Sequence, residues 1–135
     1  MIVYISVPAK AAEKRKEIVI VREKCKHELN WNKFILAVAQ VESERNPKAY
    51  NRKTDAAGYL QIRKSVVDDC NRILGRKKYS MNDRFNKQKS IEMFNIMQNH
   101  YNKNKDFHFA LKVWNPKSSF SYHFESQERI RQINW

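Results

Sequence analysis

The amino-acid sequence predicts a mainly α-helical protein with one domain. At 135 residues the chain suits a single hydrophobic core. It contains only 2 Gly and 3 Pro, while aromatic residues make up 12% of it, a composition that disfavours disorder and folds rich in tight turns. Apolar residues recur at three- and four-residue steps in several segments, which indicates helices that pack by one face.

The chain is expected to begin with an arm over residues 1–16, followed by a domain over residues 17–135. The domain starts with apolar residues at helical steps: Ile18, Val21, Cys25 and Leu29. They favour a helix that packs by one face, although residues 18–21 alone would equally suit a strand.

A second helix is expected from Asn32 to about Glu44. The Asn32 side chain can accept hydrogen bonds from the free N–H groups of the first turn. Pro47 ends the helix, because a proline drives the preceding residue out of the α region. The polar residues 48–57 then predict a loop, and Gly58 allows the backbone to turn at its end.

Further helices follow. Ser65 is a suitable N-cap for the third helix, and Gly75 lies just past its end. The next two helices are marked by apolar residues at helical spacing: Ile91, Phe94, Met97 and Tyr101 in the fourth, and Phe107, Ala110, Leu111 and Trp114 in the fifth. The fifth helix ends before Pro116, and residues 127–133 suit a last helix.

Glu42 is the most informative residue of the chain. It follows Ile35, Val38 and Ala39 at helical steps, so it lies on the same apolar stripe of the second helix. A carboxyl group held against apolar side chains loses hydration, and its pKa rises toward the range of a proton donor at neutral pH. Cleavage of a glycosidic bond needs such a donor, which makes Glu42 the candidate general acid.

Three blocks of sequence carry a resemblance to a known family. The first is Glu42–Ser43 followed by Asn46–Pro47, the second is Gly58–Ile62, and the third is Ala110–Lys117. In this order they resemble the Glu-Ser-x-x-Asn-Pro, Gly-Leu-Met-Gln-Ile and Ala-Leu-x-x-Tyr-Asn-Ala-Gly segments of the soluble lytic transglycosylases and the related goose-type lysozymes. The resemblance covers roughly residues 29–124, most of the chain.

The resemblance implies a lysozyme-like domain of five or six helices around a substrate cleft, with no cofactor. Glu42 would protonate the bridging oxygen between N-acetylmuramic acid (MurNAc) and N-acetylglucosamine (GlcNAc). It would then act as base while the sugar closes a 1,6-anhydro ring. Six side chains are the candidate substrate-binding residues: Ser43, Tyr59, Gln61, Trp114, Asn115 and Tyr122.

Most of these residues also have a structural interpretation. Ser43 could be a plain helix-terminal polar residue, whereas the resemblance implies that it positions the loop or the carboxylate. Gln61 could satisfy backbone groups. Tyr59 and Trp114 could belong to the core, since aromatic side chains at helical spacing usually do. Asn115 could cap its helix.

Two departures from the family pattern are visible. Glu44 stands where the family usually has Gly, and Trp114 stands where it tends to have a Tyr whose hydroxyl contacts the catalytic carboxylate. An indole offers only an N–H donor, so Tyr122 is the candidate to supply a hydroxyl instead.

Two alternative functions stay open. A peptidoglycan hydrolase (muramidase) would pair Glu42 with a second carboxylate, for which Asp55 in the loop is the candidate, because Glu44 points to another side of its helix. A catalytically inactive cationic module would bind wall polymers or nucleic acid through the net charge of +13.

The expected partner is the glycan strand of peptidoglycan at the bacterial cell wall, and we expect a monomer without a nucleic-acid partner. No metal site is expected, since neither the two Cys nor the four His residues show ligand spacing. No apolar run is long enough to span a membrane. The amino terminus shows no convincing secretory signal, so we expect delivery by a phage or a specialised secretion route, unless an upstream segment is missing.

Overall fold

The computed structural model describes most of the chain between its ends: residues 16, 28, 30–116 and 132. Contacts divide the chain into two compact units, Met1–Asn32 and Lys33–Trp135. The candidate site lies within the second unit. The expected division into an arm over residues 1–16 and a domain over residues 17–135 stays a prediction.

Helices dominate the described residues, which confirms the predicted mainly α-helical class. The α-helices are α1, described over residues 30–43, α2 at Lys64–Leu74, α3 at Lys87–Tyr101 and α4 at Phe107–Trp114. A 3-10 helix occupies Met81–Phe85, between α2 and α3. The expected leading and last helices fall on residues 17–29 and 127–133, which lie outside the described residues apart from positions 28 and 132.

A short hairpin connects α1 and α2. Strands β1 (Tyr50–Asn51) and β2 (Ala56–Ala57) pair antiparallel, with Tyr50 opposite Ala57. Beyond β2 the chain turns back, and the backbone groups of Ala57 and Ile62 exchange hydrogen bonds of 3.0 and 2.8 Å. The segment 48–57, predicted as a loop, therefore contains a folded hairpin, and the turn expected at Gly58 follows it.

Two predicted helix starts need correction. Asn32 follows two residues that are already helical, so it lies inside α1 and does not cap it. Helix α2 begins at Lys64 without a side-chain cap, which places Ser65 in the first turn. Water can solvate the first N–H groups of such a helix, so its start does not depend on a capping side chain. The predicted end of α2 is confirmed, because Gly75 adopts a left-handed conformation with φ of 68°.

The hydrophobic core lies where α1, α3 and α4 meet. The ring of Phe34 in α1 stacks on Phe107 in α4, with 4.8 Å between centroids, and lies 6.4 Å from Phe94 in α3. The apolar residues predicted to share a stripe of α1, Ile35, Val38 and Ala39, are at most 2% exposed, and the neighbouring Phe34 is fully buried. Burial of each large aliphatic or aromatic side chain stabilises the fold by about 1.5–3 kcal/mol.

A buried polar contact fixes α4 against α3. The side chain of Gln98 is fully buried, and its Nε2 donates to the Ala110 carbonyl oxygen at 3.1 Å. Its Oε1 accepts a hydrogen bond of 3.1 Å from Nδ2 of Asn102. Because both ends of the amide are satisfied, its burial costs little, and it sets the position of α4 along α3.

The side chain of Arg84 joins the 3-10 helix to the hairpin. It is only 5% exposed. Its Nη1 donates to the carbonyl oxygens of Asp55 at 2.6 Å and Ile62 at 3.1 Å, and its Nε donates to the Met81 carbonyl at 2.8 Å. Burying an unpaired guanidinium would cost several kcal/mol, so these carbonyl groups are what make its burial tolerable. The hairpin tip at Asp55 and the end of the following turn at Ile62 are thereby held to one side chain.

Gly58 lies directly against the backbone of Arg84. Its φ is 83°, a conformation that L side chains rarely adopt, and a Cβ at this position would collide with the Arg84 carbonyl oxygen. The Gly58 N–H donates to the Ala49 carbonyl at 2.7 Å, which fixes the turn from the other side.

We expect Gly58→Ala to destabilise the protein far more than Gly75→Ala, measured as the free energy of unfolding in urea. Both glycines have positive φ, but nothing lies within 4 Å of a Cβ at Gly75. The Gly75 variant should therefore lose only about 1–2 kcal/mol of stability, which is the cost of a left-handed conformation for a residue with a Cβ. The Gly58 variant should lose the same amount of stability and, in addition, the cost of a backbone collision, about 4 kcal/mol or more in total. Equal losses would contradict the close packing described above.

Candidate active site

A cleft of about 500 Å³ opens between the end of α1, the hairpin, the start of α2 and the end of α4. Predicted site residues at its wall are Glu42, Gln61, Trp114 and Asn115. The three family-like blocks, which are far apart in the sequence, therefore each contribute a side chain to one cavity.

Glu42 lies in the last turn of α1, is half-buried and lines the cleft. The residues that precede it on the same stripe, Ile35, Val38 and Ala39, are buried in the core. The apolar face of α1 thus runs from the core toward the cleft and ends in a carboxyl group. The raised pKa expected for Glu42 stays a prediction.

Helix α1 ends immediately after Glu42 and Ser43 in two left-handed residues. Glu44 has φ of 54° and Arg45 has φ of 61°. The N–H of Arg45 donates to the Ala39 carbonyl at 3.1 Å, which closes the helix end. Glu44 is exposed and is not among the described residues that line the cleft. A left-handed backbone favours Gly, so the conformation explains why Gly suits this position in the family and implies local strain in this chain.

Ser43 ties α1 to the turn at residues 58–61. Its Oγ donates to the Tyr59 carbonyl oxygen at 2.7 Å and accepts from the N–H of Asn46 at 3.1 Å. Ser43 is not among the described cleft-lining residues. The hydroxyl of Ser43 therefore makes a positioning contact, and a contact of Ser43 with a substrate stays a prediction.

Tyr59 is placed in the core, which corrects the expectation that its ring offers a face to a sugar. The side chain is 1% exposed, and its burial raises the pKa of the phenol. Nζ of Lys87 lies 5.1 Å from the ring centroid. A ring covered in this way has no surface left for a ligand.

Gln61 satisfies backbone groups, as its structural interpretation expects, and it also lies at the cleft wall. Its Nε2 donates to the carbonyl oxygens of Gly58 at 3.0 Å and Ala49 at 3.3 Å. The residue is half-buried at the cleft wall, and within the described part of the chain no hydrogen bond to its Oε1 is found. The amide is therefore oriented by the backbone and keeps an acceptor for a substrate hydroxyl or amide.

Trp114 and Asn115 close the cleft at the end of α4. The indole Nε1 of Trp114 donates to the Leu60 carbonyl at 3.1 Å, and its ring meets Phe94 edge-on at 4.7 Å. The N–H of Asn115 donates to the Leu111 carbonyl at 3.0 Å, which ends the helix. Both residues are half-buried and line the cleft. Tyr122, the expected hydroxyl donor, lies outside the described residues.

Asp55, the expected second carboxylate, is not among the described residues that line the cleft, although its neighbours Thr54 and Ala56 are. It lies in the exposed turn of the hairpin, where its Oδ1 accepts from the Tyr50 hydroxyl at 2.8 Å. Its Oδ1 is also 3.8 Å from Nη1 of Arg84. These partners hold the carboxylate at the hairpin, and it is not among the described residues at the cleft wall.

The structure instead brings four residues from the start of α2 to the cleft: Arg63, Ser65, Val66 and Asp69. Asp69 is half-buried, and its Oδ1 accepts from Nη2 of Arg72 at 3.2 Å. The sequence analysis missed these residues as site candidates. Their helical spacing was the available signal, because Ser65, Val66 and Asp69 share one face of α2.

The described residues offer neither a metal site nor a reactive thiol. They contain no cluster of three or more His, Cys, Asp or Glu side chains that could hold a metal ion. Cys70 is fully buried, and burial raises the pKa of its thiol to about 12, so it stays protonated at neutral pH. No described helix combines the length and the apolar composition that crossing a bilayer requires.

We expect Ser43→Ala to lower the free energy of unfolding by about 1–3 kcal/mol, because the Tyr59 carbonyl loses its donor. Ser65→Ala is the matched control. Ser65 is exposed in the first turn of α2, so its removal should change stability by less than about 0.5 kcal/mol. Urea denaturation of both variants measures the difference, and similar values would show that the Ser43 contact contributes nothing.

Comparison with known proteins gives a family match. Neither a curated protein nor a solved structure matches the chain. A family model described as the transglycosylase SLT domain matches residues 19–122, which include α1 as described, the hairpin, the cleft-lining residues and α4. Members of this family are lytic transglycosylases that act on the peptidoglycan of the cell wall. Because the match covers most of its length, the chain belongs to the transglycosylase SLT domain family.

Proposed function

We propose that the protein is a peptidoglycan lytic transglycosylase that cleaves the β-1,4 bond between MurNAc and GlcNAc with formation of a 1,6-anhydro ring. The observation that carries this proposal is the position of Glu42, half-buried at the wall of a cleft that also presents Gln61, Trp114 and Asn115. The protein would act at the cell wall as a monomer. Its delivery by a phage or a specialised secretion route stays a prediction.

The surroundings of Glu42 suit a proton donor. The side chains before it on α1 are apolar and buried, and the cleft wall includes the apolar groups of Met97, Val113 and Trp114. Such neighbours disfavour an ionised carboxylate and favour the acid form that the first step needs.

The reaction uses one carboxyl group twice. Glu42 donates its proton to the bridging oxygen as the bond from that oxygen to C1 of MurNAc breaks. The acetamido oxygen of the same sugar stabilises the positive charge at C1. The Glu42 carboxylate then takes the proton of the 6-hydroxyl, and O6 bonds to C1 to close the anhydro ring. Atoms and charge balance without consumption of water.

The other cleft residues would hold the strand for these steps. Gln61 offers its Oε1, Asn115 offers both a donor and an acceptor, and the half-buried Trp114 offers part of a flat ring for sugar packing. Ser43 acts through the backbone of the 58–61 turn and is a positioning residue.

We expect Glu42→Gln to reduce the rate of wall cleavage by about 10²- to 10⁴-fold without a change in melting temperature, because it removes the proton donor and keeps the side-chain volume. The assay is mass spectrometry of the muropeptides released from purified peptidoglycan, with 1,6-anhydro ends expected from the unmodified protein. Glu44→Gln is the control, since Glu44 is exposed and its variant should keep its activity. Full activity of the Glu42 variant would refute the assignment.

Asp69 supports a second candidate, a hydrolase, because it is a second carboxylate at the wall of the same cleft. In a hydrolase Asp69 would act as base for a water molecule or as nucleophile, and the products would carry reducing ends. The single-carboxylate route instead leaves Asp69 without a chemical role.

We therefore expect Asp69→Asn to keep most of the activity and to release the same anhydro products, measured by the same mass spectrometry. Asp68→Asn is its control, because Asp68 is exposed, is paired with Lys64 and is not a described cleft residue. Reducing ends from the unmodified protein, together with a loss in Asp69→Asn as large as in Glu42→Gln, would establish the hydrolase. Absence of any product would favour a binding module.

A further inference from the structure

We infer that Arg63 forms an anion-binding subsite of the cleft, where its guanidinium binds a carboxylate of the glycan strand. Arg63 would then be a specificity-determining residue for the proposed function, on which this inference rests. The ligand chemistry is a carboxylate attached to an otherwise uncharged sugar chain.

The first support is the position and pairing of Arg63. It is the only cation among the described residues that line the cleft. Its side chain makes no ion pair or hydrogen bond within the described part of the chain. Its backbone is fixed, since its carbonyl oxygen accepts from the N–H of Val66 at 3.0 Å. The backbone of Arg63 is thus fixed at the cleft wall, and its exposed guanidinium is available to a ligand.

The second support is the distribution of charge around Arg63. Among the described residues that line the cleft the carboxylates are Asp69, which is paired with Arg72 at 3.2 Å, and Glu42. Neither forms an ion pair with Arg63 within the described part of the chain. The exposed side chains of Arg52 and Lys53 sit at the hairpin tip, between the cleft-lining residues Asn51 and Thr54. These cations add positive potential at the rim and attract an anionic group toward the cavity.

The chemistry of the strand completes the argument. The sugar rings carry hydroxyl and acetamido groups, which are neutral. Carboxylates occur in two places, on the lactyl group of MurNAc where the stem peptide has been removed, and on the stem peptide itself. A guanidinium matches a carboxylate in a bidentate pair, which makes Arg the suitable side chain for either group.

The test measures binding, by isothermal titration calorimetry, of full-length protein that carries Glu42→Gln so that no strand is cut. The ligands are soluble glycan strands of matched length, with and without stem peptides, each also in a form whose carboxylates are converted to methylamides. We expect Arg63→Gln to weaken binding of a carboxylate-bearing strand about tenfold and to leave binding of its methylamide form unchanged. An effect confined to peptide-free strands identifies the lactyl group, and one confined to peptide-bearing strands identifies the stem.

Two further variants make the test specific. Arg63→Lys should keep part of the carboxylate preference, because it keeps the charge and loses the planar fork. Arg76→Gln removes the same charge from an exposed position that is not a described cleft residue, so it measures the contribution of general attraction. A loss in Arg76→Gln as large as in Arg63→Gln would overturn the subsite. So would an Arg63→Gln effect that is equal on charged and methylamide strands, or no effect in a variant whose circular dichroism is native.

Cleavage of the same strands by protein with Glu42 restored separates this inference from the proposed function. Carboxylate-dependent binding at Arg63 without any cleavage product would reject the transglycosylase and retain the subsite. Anhydro products, together with equal binding of carboxylate-bearing and methylamide strands, would retain the transglycosylase and reject the subsite. Failure to bind any strand would reject both.

Discussion

The buried guanidinium of Arg84 is the contact on which the geometry of the cleft depends. It binds the carbonyl groups of Asp55 and Ile62, which lie at the two ends of the segment that forms the hairpin tip, β2 and the following turn. A charge in the core is tolerated only when its donors are satisfied, so the side chain and the segment stabilise each other. Gly58 completes this arrangement because only a residue without Cβ can lie against the Arg84 backbone.

The turn that Arg84 fixes is also the point where the other elements meet. Ser43 from α1 bonds the Tyr59 carbonyl, and Trp114 from α4 bonds the Leu60 carbonyl. The first and third family-like blocks therefore bind consecutive backbone groups of the second block. Ser43 and Trp114 therefore both position the turn at residues 58–61. They set the distance between the wall that carries Glu42 and the wall that carries Asn115.

The charge of the protein is distributed unevenly between its surface and the cleft. The chain carries a net charge of +13, yet the described charged side chains at the cleft wall are Glu42, Asp69 and Arg63. Long-range attraction to an anionic wall thus comes from the whole molecule and is weakened by salt. Chemistry and local selectivity depend on the few charges that the cavity itself presents.

The sequence by itself determined the helical class, the positions of α3 and α4, and Gly75 at the end of α2, because helical periodicity and left-handed glycines are local signals. It also singled out Glu42, because a carboxylate on an apolar stripe is visible in the sequence. Three motifs in order indicated the family of the chain in the same way. Only the tertiary structure decided which side chains line the cleft. It placed Tyr59 in the core and Asp55 at the hairpin, and it brought Asp69 to the cavity. Those outcomes depend on contacts between distant segments. Helical spacing can show that side chains share a face of a helix, but it does not show which segment that face meets.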